Sequence, residues 1–83
     1  MENLYNVIKD RVEAIEFKVE DGSPLIGKPL LSCRIKEDVL VAAILRGKTV
    51  IVPRGSTVIE SGDSVTVVAK GLSIRSLSDI LKK

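Results

Sequence analysis

The sequence predicts an α+β fold: a small β-sheet with a central hairpin and short flanking helices. Branched aliphatic residues dominate, with 11 Val, 9 Ile and 9 Leu among 83 residues, and such residues favour strands. Apolar and polar residues alternate along several segments, as in half-buried strands. Turn sequences that contain glycine separate these segments. The length suits one domain, because two cores would leave each half too small to bury its apolar surface.

The beginning of the chain predicts a helical segment. Leu4, Val7 and Ile8 are three or four residues apart, a spacing typical of one face of a helix. We therefore divide the chain into an N-terminal helical segment or connector, residues 1–11, and a domain, residues 12–83.

The domain is predicted to open with a strand and a short helix. From Val12 the hydrophobic period changes to two, which indicates a half-buried strand that ends at Asp21-Gly22. Ser23-Pro24 can then start one or two helical turns that reach Ser32, because proline is favoured at a first helical position.

A hairpin and one more strand follow. Residues 39–46 and 49–53 are both strand-like, and Gly47-Lys48 between them is a pair typical of tight hairpin turns. Residues 64–70 predict the next strand. The last element is a helix capped by Ser73, with its apolar face formed by Ile74, Leu77, Ile80 and Leu81.

Several of these strands are apolar on both faces. Residues 39–45, 50–52 and 67–69 show no alternation, whereas a strand with one wet face should alternate. Short helices offer little cover, so we expect a second copy or a neighbouring domain to cover the other face. The sequence thus predicts a homodimer.

Composition excludes several classes of function. The chain has no His and a single Cys, so it lacks an imidazole base and the ligands of a Cys/His zinc site. Its net charge is +2 and its aromatic content is 2%, which argues against nucleic-acid binding. No stretch approaches the ~20 apolar residues of a membrane span. We expect a non-enzymatic, cytoplasmic protein.

Individual residues offer weaker hypotheses. Lys48 at the hairpin tip is typical of lipoyl or biotinyl carrier domains, although the flanking residues of those domains are missing. Arg46, Lys48 and Arg54 form a basic cluster that could hold a phosphate or an acidic partner. Cys33 is interpreted as a buried small residue. Two carboxylate pairs could bind a cation weakly: Glu37 with Asp38, and Glu60 with Asp63.

Three blocks occur in a fixed order along the chain. Residues 23–28 read Ser-Pro-Leu-Ile-Gly-Lys, residues 44–53 read Ile-x-Arg-Gly-x-x-x-Ile-x-Pro, and residues 62–63 read Gly-Asp. Together they resemble the TrkA-C domain, also called RCK-C, of the regulators of potassium uptake systems. The resemblance runs from about Val12 to Leu81, and it implies a small α+β domain that pairs with itself.

The resemblance also implies a function and partners. Such a domain is expected to be a gating subunit or domain of a potassium channel or transporter, or of another ion antiporter or symporter. It would lie peripherally at the inner face of the membrane through that partner. NAD or ATP would be bound by a separate Rossmann-like domain or subunit, because this chain has no G-x-G-x-x-G.

Some members of the family bind cyclic di-AMP between two C-terminal domains, and others bind divalent cations. By position, the resemblance implies that the residues facing such a dimer cleft are Leu30, Leu31, Arg34, Lys36 and Pro53.

Overall fold

The computed structural model describes residues 2–9, 11–71 and 74–82. One antiparallel sheet of five strands dominates it, in the spatial order β1-β2-β5-β3-β4. The last strand of the chain therefore lies in the middle of the sheet. The strands are β1 Asn3–Ile8, β2 Val12–Lys18, β3 Val39–Arg46, β4 Thr49–Ile51 and β5 Ser64–Lys70.

One face of the sheet, which we call the inner face, carries the hydrophobic core. Directly opposite residues of an antiparallel pair lie on the same face, so each row across β2, β5 and β3 can be read from the register. One inner row contains Ile15, Val67 and Val41, and the next contains Phe17, Val65 and Ile44. All six are buried.

The long connections between strands and the segment that follows β5 cover this inner face. They contribute Leu25, Ile59, Ile74, Leu77 and Ile80 to the same core cluster. Two 3-10 turns, Leu30–Ser32 and Leu77–Ile80, are the helical elements of the described ranges. The domain thus has a single layer of sheet closed by loops, and its second face, the outer face, lies away from the core.

Our prediction of a helix at the beginning of the chain is wrong. Asn3–Ile8 forms strand β1, which pairs with β2 at one edge of the sheet, and all six of its residues are exposed. The spacing of Leu4, Val7 and Ile8 resembles a helical face by coincidence. Because neither face of this edge strand is buried, its sequence is free of the alternation that marks a half-buried strand.

The flanking helices are also absent from the described residues, where only 3-10 turns occur. The first turn is limited to three residues, since Gly27 adopts a positive φ of 86° and Pro29 precedes the turn. In the last segment the turn begins after Ser76, and Asp79 accepts hydrogen bonds from the backbone N–H groups of Arg75 and Ser76 at 2.9 and 3.0 Å. Our predicted cap, Ser73, lies outside the described residues.

The hairpin is confirmed, at a different place in the sheet. β3 and β4 pair from Ile44 opposite Ile51 to Arg46 opposite Thr49. Gly47 has a φ of 61°, the left-handed conformation that such a tight turn requires. The pair forms an edge of the sheet rather than its centre. Among the described ranges, no helix is long and apolar enough to cross a membrane.

Candidate functional site

An open groove lies beside the first 3-10 turn. It has a volume of about 400 Å³, and its base is largely apolar. Exposed leucines stand at its margin, with Leu31 85% and Leu40 63% exposed. Its lining residues are Leu30, Leu31, Ile35, Lys36, Glu37, Val39, Leu40, Val41, Pro53, Arg54 and Gly55.

Backbone hydrogen bonds hold the two walls of the groove together. The N–H of Leu30 donates to the carbonyl of Thr57 at 2.9 Å, and that of Leu31 donates to Gly55 at 2.8 Å. A Cβ at Gly55 would lie 3.4 Å from Leu31 Cβ, so a larger residue there would crowd this wall. Lys36, another lining residue, is held by a hydrogen bond from its N–H to the carbonyl of Ile80 at 2.7 Å.

Four of the five residues that the sequence suggests for a dimer cleft line this groove: Leu30, Leu31, Lys36 and Pro53. Arg34 does not. It lines a separate pocket of about 240 Å³ together with Lys28, Cys33 and Lys82. Lys36, two residues further along the chain, lines the groove instead.

Sequence reasoning missed the other lining residues. Leu40 was assigned to a strand, and nothing in the sequence reveals that this strand passes the 3-10 turn. Arg54 and Gly55 follow Pro53 directly, so their proximity to that proline was the available signal. The complete groove has an apolar base with the charged residues Lys36, Glu37 and Arg54 around it.

A second constellation joins two of the sequence blocks. The guanidinium of Arg46 donates to both carboxylate oxygens of Asp63, with Nε to Oδ1 and Nη2 to Oδ2 at 2.9 Å each. Nη2 also donates to the carbonyl of Val58 at 2.9 Å, and Nη1 lies 3.0 Å from Oε2 of Glu60. The Arg-Gly block is thereby bonded to the Gly-Asp block.

Asp63 is buried, with 1% of its surface exposed. Its Oδ2 also accepts a hydrogen bond from the N–H of Glu60 at 2.9 Å. The bonds from Arg46 are the main reason why the pKa of Asp63 is lowered from its ordinary value, against the opposing effect of burial. The same pairing raises the pKa of Arg46.

This ion pair changes two hypotheses from the sequence. The hypothesis that Arg46, Lys48 and Arg54 together hold a phosphate is wrong, since the guanidinium of Arg46 is hydrogen-bonded to Asp63. The pair Glu60 and Asp63 is likewise committed to Arg46 rather than to a cation. Within residues 2–9, 11–71 and 74–82, no three acidic or Cys side chains gather as metal ligands.

The remaining candidates have ordinary surroundings. Lys48 is exposed in the hairpin turn. Cys33 is half-buried rather than buried, and it packs against the core cluster. Nζ of Lys82 lies 3.8 Å from Oε1 of Glu37, and the carbonyl of Asp38 accepts from the N–H of Lys70 at 2.9 Å.

The three sequence blocks thus fold into a small antiparallel sheet with an open, largely apolar groove at one side. The family model of the TrkA-C domain matches residues 14–82. The chain therefore belongs to the TrkA-C domain family, and the resemblance found in its three sequence blocks is confirmed.

Curated relatives agree with this assignment. Trk system potassium uptake protein TrkA homolog 2 of Methanosarcina mazei is 29% identical over 99% of this chain and 18% of its own length. The TrkA homolog of Archaeoglobus fulgidus is 36% identical over 84% of this chain and 16% of its own length. The K(+)/H(+) antiporter NhaP2 of a Shewanella strain is 28% identical over 86% of this chain and 12% of its own length. The chain thus spans less than a fifth of each of these relatives.

Proposed function

We propose that this chain is a regulatory domain of a potassium transport system and that it acts by binding a small ligand rather than by catalysis. Family membership is the observation that carries the proposal, because the relatives named for potassium uptake and for K(+)/H(+) exchange share this domain. The groove supplies a concave surface for a ligand. Its lining residues include no Ser, Thr or Cys nucleophile.

The ligand is proposed to lie between two copies of the chain. A groove of about 400 Å³ is at the small end of pockets that bury a ligand, and this one is open on one side. A second copy placed over Leu31 and Leu40 would close it and would cover two strongly exposed side chains. Cyclic di-AMP fits the character of the surface, with bases on the apolar residues and phosphates near Lys36 and Arg54.

Equilibrium dialysis tests this directly. The full chain would be dialysed against cyclic di-AMP, ATP, NAD and Mg²⁺ in separate experiments. We expect one cyclic di-AMP for every two chains, and sedimentation should show that the ligand raises the dimer fraction. Binding of one ligand to one chain, without any change in sedimentation, would contradict a site between copies.

A pair of leucine variants locates the site. Leu31→Ala removes an apolar contact from the groove and should weaken binding about tenfold, which corresponds to the burial of part of one leucine. Leu45→Ala is the matched control, because Leu45 is also exposed but lies on the outer face. Equal weakening by both variants would place the ligand elsewhere.

The partners are proposed from the family resemblance and, for the transporter, from the names of the relatives. A Rossmann-like chain that binds NAD or ATP and a membrane potassium transporter would accompany this domain. Purification of the tagged chain from its source cell, followed by mass spectrometry, should recover both. Intact mass from the same sample tests the alternative role as a carrier: an added lipoyl or biotinyl group on Lys48 would overturn the regulatory proposal.

A further inference from the structure

The pocket that contains Arg34 differs from the groove in its charge. It has a volume of about 240 Å³, and the charged residues that line it are all cationic: Lys28, Arg34 and Lys82. Its other lining residues are uncharged, so no carboxylate lines it in the described part of the chain. We call it the cationic pocket, and none of the roles proposed for the groove uses it.

Two of the cationic residues are opposite each other in an antiparallel pair of segments. The N–H of Lys82 donates to the carbonyl of Arg34 at 2.6 Å, and the bridge between Ile35 and Leu81 adjoins them. Opposite residues of an antiparallel pair project to the same side of it. Like charges in such positions destabilise the pair because they repel each other. A bound anion would remove this repulsion.

Lys28 adds a third positive charge from another segment. Ile26 and Pro29, on either side of it, each form a bridge with residues 58–59. The side chain of Lys28 therefore starts from a fixed backbone rather than from a free loop. Lys28 and Arg34 are both exposed, and neither belongs to an ion pair among the residues that the structure describes.

The neighbouring carboxylates do not neutralise the pocket. Oε1 of Glu37 lies 3.8 Å from Nζ of Lys82, which is too far for a hydrogen bond, and the Glu37 side chain is 91% exposed. Water screens such an exposed pair strongly. Glu20 and Asp21 line an adjoining pocket, which shares Pro24 and contains two cationic side chains of its own. The cationic pocket thus keeps an excess of positive charge.

We propose that the cationic pocket binds a phosphoryl group, as free phosphate or as the phosphate of a small molecule. Three cations suit a dianion, and the planar fork of the Arg34 guanidinium matches two oxygens of a phosphate. The hydroxyl of Ser32, which also lines the pocket, adds a neutral donor. The volume is below the ~300 Å³ at which pockets begin to enclose whole drug-sized ligands, so the pocket holds the phosphoryl group alone.

Cys33 provides a probe of the pocket, because it lines the pocket and is the single cysteine of the chain. The full chain is treated with iodoacetamide, an uncharged reagent, and alkylation is followed by intact mass. Inorganic phosphate is titrated at constant pH, with sodium chloride adjusted to keep the ionic strength constant. We expect bound phosphate to shield the thiol and to slow alkylation about fivefold at roughly four times its dissociation constant.

Two substitutions with the same change in charge locate the site. Arg34→Gln should raise the phosphate concentration needed for protection by at least about tenfold, because it removes a charged hydrogen-bond donor. Arg54→Gln, in the groove, should leave the protection intact. Both arginines are exposed, so both variants should fold. Lys28→Gln is a second variant of the pocket, and it should cause a smaller loss because lysine acts as a point charge.

A titration with AMP distinguishes the two sources of the phosphoryl group. Protection at a lower concentration of AMP than of inorganic phosphate would assign the pocket to the phosphate of a larger molecule, and the reverse order would assign it to free phosphate. Amide shifts of the ¹⁵N-labelled full chain are recorded in parallel. They should change saturably at Cys33, Arg34 and Lys82, and they report occupancy even if the thiol reacts slowly.

Three outcomes would overturn the proposal. The first is the absence of a saturable change in both alkylation and amide shifts. The second is equal protection by acetate at the same ionic strength, since general screening would then explain the effect. The third is an equal loss of protection in Arg34→Gln and Arg54→Gln, which would place the anion in the groove. Cyclic di-AMP binding is tested separately with Leu31→Ala, so failure here is separable from failure of the proposed function.

Discussion

At the scale of single residues, the contact between Arg46 and Asp63 joins two blocks that are distant in the sequence. Arg46 ends β3, and Asp63 immediately precedes β5. Their paired hydrogen bonds hold the hairpin against the turn that leads into the central strand. We expect Asp63→Asn to lower the free energy of unfolding by roughly 3 kcal/mol, because it removes one partner of a buried pair and places an amide N–H against another donor. Urea unfolding at neutral pH measures the change.

Glu60→Gln is the control for this substitution. Glu60 also approaches Arg46, but its side chain is 61% exposed, and exposed ion pairs contribute less than about 1 kcal/mol. If both variants lower the free energy of unfolding by similar amounts, the buried hydrogen bonds of Asp63 stabilise the fold no more than the exposed ion pair does.

The same residue predicts how stability depends on pH. Asp63 has a lowered pKa in the folded chain and an ordinary value of 3.8 in the unfolded chain. Its contribution is therefore complete well above pH 3.8 and is lost as pH falls through the lower, folded pKa. Asp79 also has a lowered pKa, but it is present in both proteins and cancels in the comparison. As the pH falls from about 6 to 2.5, the difference in unfolding free energy between wild type and Asp63→Asn should become smaller. A difference that stays constant over this range would contradict this assignment.

At the scale of elements, the hairpin turn depends on Gly47. Its φ of 61° is unfavourable for residues with a Cβ, although nothing lies within 4 Å of where that atom would be. Gly47→Ala should thus cost about 1 kcal/mol through backbone strain alone. Lys48→Ala, in the same turn, should change stability by less than about 0.5 kcal/mol. Thermal unfolding of the two variants checks the difference, and an unchanged melting temperature for Gly47→Ala would refute it.

The strands could be predicted where one face is buried. Burial alternates strictly along β2 and β5. The strand β5 was predicted at its observed residues, and β2 was predicted from its first residue but ends at Lys18 rather than at Asp21-Gly22. β1 was missed because an exposed edge strand imposes no alternation on its sequence. The last helix was predicted where none forms, because Ile74, Leu77 and Ile80 face the core from a 3-10 turn and the backbone before it. Four groove residues followed from the family resemblance. The place of Leu40 in the groove could not be predicted, since it depends on which strands become neighbours in the sheet.

At the scale of the whole molecule, the exposed leucines beside the groove predict how copies of the chain assemble. We propose that the homodimer predicted from the sequence forms over the groove, where Leu31 and Leu40 are strongly exposed. If folding and association are coupled, the unfolding midpoint should rise with protein concentration. Leu31→Arg should abolish that rise, and Leu45→Arg on the outer face should preserve it. A midpoint independent of concentration in the unmodified chain would argue for a folded monomer.

The position of β5 has a consequence for how the chain acquires its structure. This strand lies between β2 and β3, which do not touch each other as neighbours in the sheet. When only residues up to 63 have left the ribosome, the chain can therefore form two separate hairpins, β1 with β2 and β3 with β4. Each has an apolar face and an unpaired edge. The core rows form only when Val65 and Val67 arrive. Folding must then proceed late and nearly all at once, since distant segments have to meet before any stable sheet exists.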